Sequence, residues 1–278
     1  MSELEEKEFA PTGHFYSAVP SAETRSLFQF PNQNITTLPG LDLNAEEQVR
    51  LLHQFKEFYR EDVFSDHQRE GFRYYFINDF YSYSDAIVLQ SMIRCFKPKR
   101  YIEVGSGYSS ACVLDTLEST DGDCNCTFIE PYPGVLNGLL SGSEKNVEVL
   151  ESGVQSVDLS LFKDLQGNDM LFIDSTHVSK LGSDVNYLIH QVLPILNPGV
   201  LVHFHDIIWP FEYPKDWFEE GRAWNETYML RAFLQFNSAF KIIFFCTYLH
   251  VHEREWIKEN MPKMCLNPGG NIWLRKVS

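Results

Sequence analysis

Positive charge is scarce in this sequence: 23 Lys and Arg stand against 38 Asp and Glu, a formal net charge of -15 at pH 7. An acidic surface repels phosphate backbones and anionic lipid, which argues against nucleic acid and membrane surfaces as partners. The basic residues that do cluster, Lys97, Lys99 and Arg100, flank a strand pattern. No uninterrupted apolar run approaches the roughly 20 residues that span a bilayer. The start, Met1 to Phe9, is acidic and lacks the basic and apolar regions of a secretory signal. A cytoplasmic location is therefore expected. There is no internal repeat and no low-complexity segment.

Cysteine is present without a pattern. Cys95, Cys112, Cys124, Cys126, Cys246 and Cys265 are scattered, several within apolar runs, and read as reduced core thiols. Cys124 and Cys126 fit the alternation of a strand start, and no second pair follows them to complete a metal site. The sequons at Asn34, Asn125 and Asn225 carry little weight without a secretory route.

What is present is apolar and aromatic: 44% and 14% of 278 residues, enough to bury a substantial core. One α/β domain with an N-terminal extension, or two small domains, would satisfy that length. Residues 1 to about 40 contain Pro11, Pro20, Pro31 and Pro39 and read as an irregular arm. Its aromatics, Phe9, Phe15, Tyr16, Phe28 and Phe30, predict that it packs on something. Asn44-Ala-Glu-Glu-Gln48 resembles a capping box opening a helix through Phe58, and a second helix is predicted over Ser84 to Phe96. These elements suggest a unit, 1–97, that caps a second unit, 98–278.

From residue 100 short apolar runs alternate with helical stretches. Strands are predicted at Arg100–Val104, Thr127–Glu130, Val147–Leu150, Asp169–Asp174, Gly199–Asp206, Lys241–Cys246 and Asn271–Arg275. Helices are predicted at Ser109 to about Leu117, roughly 183 to 196, and near 225 to 236. Nearly continuous Val, Ile, Leu and Phe runs separated by helices indicate a parallel sheet buried on both faces. Such doubly wound sheets bind ligands outside the carboxyl ends of their strands. The last two strands lack a clear crossover helix, so one of them is expected to run antiparallel.

Glu103-Val-Gly-Ser-Gly107 is the sharpest feature. An acidic strand end precedes two glycines and a helix start, whose N–H groups are unpaired. A carboxylate there disfavours a phosphate and suits an ammonium, and the third glycine of a dinucleotide fingerprint is missing. A purely structural turn explains the glycines too. Glu130 ends the next strand, where an acid can hold both hydroxyls of a ribose or simply face water.

Tyr101-Ile-Glu-Val-Gly-Ser-Gly107 resembles motif I of class I S-adenosylmethionine-dependent methyltransferases, with Glu130 at their ribose-binding position. Phe172–Val178, Gly182–Val185, Leu196–Ile207 and Pro210–Pro214 are similar to a bacterial branch of methyltransferase-24-like proteins. The resemblance covers about residues 98 to 278. It implies a Rossmann-like α/β fold, a mostly parallel seven-stranded sheet with the last strand antiparallel and helices on both faces. It implies S-adenosylmethionine as cofactor, with Glu103, Gly105, Ser106, Gly107 and Tyr108 at its methionine part, Glu130 at its ribose and Asp174 close by. The loop Ser152–Asp158 matches the segment along the adenine, with Gln155, Ser156 and Asp158 as candidate contacts.

A second constellation is acidic and imidazole-rich. Asp174 and His177 follow one strand, and His203, His205 and Asp206 end its neighbour. Asp174, His205 and Asp206 could hold a divalent ion, Mg, Mn or Fe. Without a metal, His177 or His205 is the candidate general base, with Asp206 beside it. The bland alternatives are that His203 is a hydrogen-bonded core residue and that Asp174 merely lies near the cofactor. The loop Trp209–Trp217 and Trp224–Tyr228 reads equally as a lid and as a surface packed on the arm. Gly13–Ser17 and Asp79–Tyr83 are candidates for the same mouth.

The expectation is methyl transfer to a small organic acceptor, at oxygen rather than nitrogen or carbon, by an enzyme with a small-molecule substrate; a homodimer is compatible with it. The rivals are an iron-dependent oxidative enzyme on the same fold and a non-catalytic protein that retains the cofactor pocket.

Overall fold

A computed structural model describes residues 9–60, 63–142 and 144–278, so the acidic start, apart from Phe9, lies outside the described residues. Seven apolar runs form one sheet: β1 (Arg100–Val104), β2 (Asn125–Ile129), β3 (Val147–Leu150), β4 (Met170–Ile173), β5 (Leu201–His205), β6 (Phe240–Phe245) and β7 (Asn271–Lys276). Their spatial order is β3-β2-β1-β4-β5-β7-β6. Neighbours among β1 to β5 pair in parallel, whereas β7 is antiparallel to both β5 and β6. This is the mostly parallel α/β sheet with a reversed last strand expected from the sequence. Every residue of β4 and β5 is buried, as strands covered on both faces must be. Right-handed crossovers that change direction between β1 and β4 put the connecting helices on opposite faces.

The helix Ala45–Arg60 packs on β6 and on the helix Tyr83–Phe96, which in turn packs on the helix Tyr108–Ser119. Asn44 does not cap in the expected way. Its backbone is left-handed (φ 51°), and its Nδ2 donates to Glu47 Oε2 and to Ile242 O at 2.7 and 3.0 Å. Gln48 is fully buried and bridges elements, donating to Leu43 O and accepting from Phe245 N.

Two expectations about local structure need correction. Between β6 and β7 lie two helices, Cys246–His252 and Arg254–Asn260, then a 3-10 turn over Pro262–Leu266. The two helices bury only Cys246, Tyr248, Leu249 and Ile257, so their apolar period is too thin to read. The helix expected at 183–196 is one turn of α-helix, Asp184–Tyr187, a wider π turn, Leu188–Val192, and a 3-10 turn, Leu193–Ile195. Pro194 has no N–H to donate, which interrupts the regular ladder there.

The arm is partly anchored. Arg25 Nη1 donates to Phe218 O at 3.2 Å, Trp209 Nε1 donates to Gln33 O at 2.8 Å, and Phe30 meets Phe218. The 212–228 loop thus packs against the arm. Phe9, Phe15 and Tyr16 remain exposed and contact one another. Cys112, Cys124, Cys126 and Cys246 are buried. Among the described residues no helix is long and apolar enough to cross a membrane.

Candidate active site

The sheet reverses direction between β1 and β4, and chains leaving that point on opposite faces open a crevice. Backbone pairing continues one residue past the strands. Gly105 N donates to Ile129 O, Glu130 N to Leu150 O, and Asp174 N to Val104 O, all at 2.9 to 3.0 Å. Gly105, Glu130 and Asp174 therefore emerge together at one edge. They line a cleft of ≈ 290 Å³ with Phe80, Tyr81, Tyr108 and Tyr132, near the small end of known ligand pockets, roughly 300–1,000 Å³.

The two glycines of the turn do different work. Gly105 has φ +83°, and a Cβ there would lie 1.7 Å from Asp174 O. Only a residue without a side chain lets the β1 end tuck beneath the β4 end. At Gly107 the nearest atom to an added Cβ is a Val135 methyl at 3.7 Å, so this position leaves the cleft wall open. Its N–H donates to Ser110 Oγ at 3.1 Å.

Glu103 does not line the cleft. It is fully buried under the turn, where Ser109 and Ser110 hydroxyls donate to Oε1 at 2.5 and 3.0 Å while Oε2 has no partner. Burial pushes its pKa up to about 8, against the opposing pull of those two hydroxyls. Glu130 is held by two backbone N–H groups, Ser106 to Oε2 at 3.2 Å and Tyr132 to Oε1 at 2.8 Å. The buried Ser106 Oγ has no partner. Tyr108 lies against Phe80 with parallel rings 6.0 Å apart, its hydroxyl 3.1 Å from that of Tyr75.

The adenine candidates Gln155, Ser156 and Asp158 do not line this cleft. Gln155 and Ser156 are exposed and outside the cleft lining; Gln155 Nε2 donates to Gly182 O at 2.9 Å, and Asp158 Oδ1 accepts from Ser160 N. The segment Asp79–Tyr83 does reach the mouth, through Phe80 and Tyr81. Gly13–Ser17 does not line it.

Beside the cleft the structure brings Asp174, His177 and Asp206 together, with one possible ligand atom from each within 4.8 Å of the others. His177 Nε2 is 3.4 Å from Asp174 Oδ1 and 3.5 Å from Asp206 Oδ2. The imidazole that completes the acidic pair is thus His177, and the expected grouping of Asp174 and Asp206 with His205 is corrected. His205 and His203 share the face of β5 that packs under Tyr81 and Phe172. His205 Nε2 reaches only to 3.7 Å from Asp206 Oδ1, and its Nδ1 has no partner. His203 is a core residue, as one alternative held, but it is not hydrogen-bonded. It stacks on Phe172 at 3.8 Å, and both ring nitrogens lack partners. Burial holds its pKa well below the ordinary histidine value.

His177 is fixed from three sides. Its Nδ1 donates to Glu226 Oε2 at 2.9 Å, its carbonyl accepts from Asn225 N and Glu226 N, and its ring lies 4.4 Å from that of Trp224. Burial opposes charge on this imidazole, but bonds to Asp174 and Glu226 prevail and hold its pKa well above the ordinary value. Burial pushes Asp206 and Glu226 up. His177 and Asp206 both have left-handed backbones, φ 58° and 56°, a strain that L residues keep only where their surroundings impose it.

The sequence reading missed Glu226, Tyr132 and Val135. Glu226 opens the helix Glu226–Leu234, and an acid in a first helical turn is so ordinary that it carries no signal. Its burial, 1% exposed, is visible only in the fold.

A family model described as a methyltransferase domain matches residues 102–207, from β1 to just beyond β5. A protein of Archaeoglobus fulgidus described as uncharacterized is 30% identical over 169 residues, 57% of this chain and 74% of that protein. Among solved structures, the O-methyltransferase TomG from Streptomyces achromogenes in complex with SAM is 14% identical, covering 92% of this chain and 95% of that one, with a TM-score of 0.46. The SAH-bound Podospora anserina methyltransferase PaMTH1 is 12% identical, covering 88% and 100%, with a TM-score of 0.47.

Proposed function

We propose that this chain, which belongs to the class I S-adenosylmethionine-dependent methyltransferases, methylates an oxygen of a small organic acceptor, and that Asp174, His177 and Asp206 receive the reacting end of that acceptor. The observation that carries the second half is the position of His177 Nε2, facing two carboxylates at 3.4 and 3.5 Å while Glu226 occupies Nδ1.

The cleft suits the cofactor. Its lining contains the carboxylates of Glu130 and Asp174 and no Lys or Arg. That balance favours a sulfonium and an ammonium, and it would repel a pyrophosphate at the same helix start. The open side of Gly107 and the unpartnered Ser106 Oγ offer room and a hydrogen bond to a nucleoside. Glu130, held rigid by two backbone N–H groups, retains acceptor capacity for the ribose hydroxyls.

The acidic cluster suits a divalent cation. Ligand atoms at about 2.1 Å from one ion stand roughly 3 to 4 Å apart, and the three donors here approach that spacing. A carboxylate on the far nitrogen of a metal-binding imidazole fixes its ring and tautomer, which is the role Glu226 fills. Oxygen donors with a single imidazole point to Mg or Mn.

Bound S-adenosylmethionine supplies a methyl group already activated on sulfur, and a divalent ion supplies a lower pKa for the acceptor hydroxyl. The chain's own task is alignment and proton removal. Asp174 lines the cleft and belongs to the cluster, so it would hold an acceptor oxygen beside the space where the cofactor would bind. The carboxylates of Asp174 and Asp206 are the groups placed to take the hydroxyl proton.

Calorimetry with S-adenosylmethionine and S-adenosylhomocysteine, with and without Mg or Mn, tests both parts. Binding of both nucleosides, with metal uptake lost in Asp206→Ala, is expected. No nucleoside binding overturns the function, and nucleoside binding with no metal uptake overturns the metal-assisted part. Oxygen uptake by an iron-loaded enzyme would favour oxidative chemistry instead.

A further inference from the structure

The strand β5 does not run straight into the loop that follows it. His205 pairs with Asn271 of β7, so the next pair in register would be Asp206 with Gly270. Instead, Gly270 O accepts from Ile207 N at 3.1 Å. Asp206 is therefore an extra residue between two anchored ones, with a left-handed backbone at φ 56°. That is the arrangement of a β-bulge, which re-aims a side chain beside a site. We propose that Asp85, on the helix Tyr83–Phe96, is a positioning residue for Asp206. Its carboxylate clamps Gly270, and Gly270 holds the bulge that turns Asp206 toward His177. This role rests on the metal-assisted methyl transfer proposed above.

The clamp is one oxygen with two donors. Asp85 Oδ1 accepts from Gly270 N at 3.0 Å and from Asn271 Nδ2 at 2.7 Å. Asp85 is 5% exposed and Asn271 is fully buried, so water does not compete for these bonds. Gly269 turns beneath the same oxygen at φ +70°, and a Cβ there would lie 2.5 Å from it. The start of β7 is thus fitted to a carboxylate that stands 185 residues earlier in the chain.

The link from Gly270 to the acidic cluster is equally short. A Cβ added at Gly270 would lie 3.2 Å from Asp206 Oδ1 and 3.3 Å from Asp206 Cα, so the bare backbone of Gly270 packs directly on that residue. Asp206 Oδ2 is in turn 3.5 Å from His177 Nε2. Neither Asp85 nor Gly270 lines the cofactor cleft, so a shift of Gly270 acts on Asp206 rather than on the cleft lining. Both also lie outside the matched residues 102–207.

The test titrates the full chain with Mn²⁺, and separately with S-adenosylhomocysteine, by calorimetry. Asp85→Ala removes the clamp, and Asp85→Asn keeps an oxygen for Gly270 N. Gly270→Ala keeps the clamp but sets a methyl group against Asp206. Asp85→Ala and Gly270→Ala should each weaken Mn²⁺ binding by at least about tenfold, the lower end of the range for losing a support of a ligating group. Asp85→Asn should recover most of that loss, with nucleoside affinity as in the parent throughout. A purely structural Asp85 would instead weaken nucleoside and Mn²⁺ binding in step, and that result overturns the proposal. It is overturned equally if Asp85→Ala or Gly270→Ala binds the nucleoside and takes up Mn²⁺ like the parent, or if Asp85→Asn is as weak as Asp85→Ala. Should Asp85→Ala fail to fold, Gly270→Ala and Asp85→Asn decide. Nucleoside binding without Mn²⁺ uptake in the parent chain overturns the metal-assisted function, and this role of Asp85 with it.

Discussion

Glu226 holds His177 by its Nδ1 at 2.9 Å, although 49 residues of chain separate them. That single bond decides which nitrogen of the imidazole is presented to Asp174 and Asp206. A carboxylate that is 1% exposed is costly to bury, and the imidazole is what offsets the cost. The left-handed turn at His177 brings the ring within reach of Glu226, and the backbone bonds from Asn225 and Glu226 keep it there.

Replacing Glu226 with Gln should weaken Mg or Mn binding by about 10- to 100-fold, the range for losing a partner of a ligating imidazole. Nucleoside affinity should not change. Metal titrations of the two proteins check this, and equal metal affinity would show that Glu226 merely packs.

Asp206→Ala should lower turnover by about 10²- to 10⁴-fold, the scale of removing a general base. S-adenosylmethionine binding should largely persist, because Asp206 lies outside the cofactor cleft lining. A rate assay paired with calorimetry separates the two, and retained turnover removes Asp206 from the chemistry.

Glu130→Gln should weaken S-adenosylmethionine binding by about 10- to 100-fold, since hydrogen bonds to a charged group are worth about 1.5–3 kcal/mol. Both oxygens already accept backbone N–H groups, so an amide there also loses one of these bonds. An unchanged Kd would take Glu130 off the ribose.

Gly105→Ala should destabilise the protein by about 3 kcal/mol or more, with the melting temperature lower by roughly 6–12 °C. The added methyl would meet Asp174 O at 1.7 Å, at a φ of +83° that L residues avoid. Thermal unfolding measures it, and a normal melt would mean that the β1–β4 junction relaxes freely.

His203→Phe should remove part of the acid sensitivity of folding. His203 is held neutral in the fold, with its pKa well below the ordinary 6.5. As pH falls through that unfolded-state value the unfolded chain takes up the proton and the folded chain does not, so stability is lost on acidification. The difference between parent and variant should grow by up to about 1.4 kcal/mol per pH unit below that point. His250, lowered to about 4 by burial and Arg254, acts in the same direction and stays in both proteins. Parallel stability curves would refute a neutral His203.

Much of this molecule was legible along the chain. The strands at 100–104, 147–150, 170–173 and 201–205 appear where expected, because each is a short run rich in Val, Ile, Leu or Phe, a local property, although β3 is only partly buried. A strand that ends in a polar residue also announces where the ligand edge lies, so Glu130, Asp174 and Asp206 could be named from their places alone. The thin helices before β7 escaped notice because each buries too few residues to set a period.

The linear order thus determined the sheet, its ligand edge and the carboxylates standing there, because backbone pairing and alternate burial repeat over a few residues. Folding in three dimensions decided which imidazole serves them. His205 and His177 are equally plausible on paper, but one is packed beneath Tyr81 and the other is turned inward by a carboxylate from a distant helix. Contacts between segments tens of residues apart leave no periodic trace in a sequence, since they depend on packing rather than on spacing.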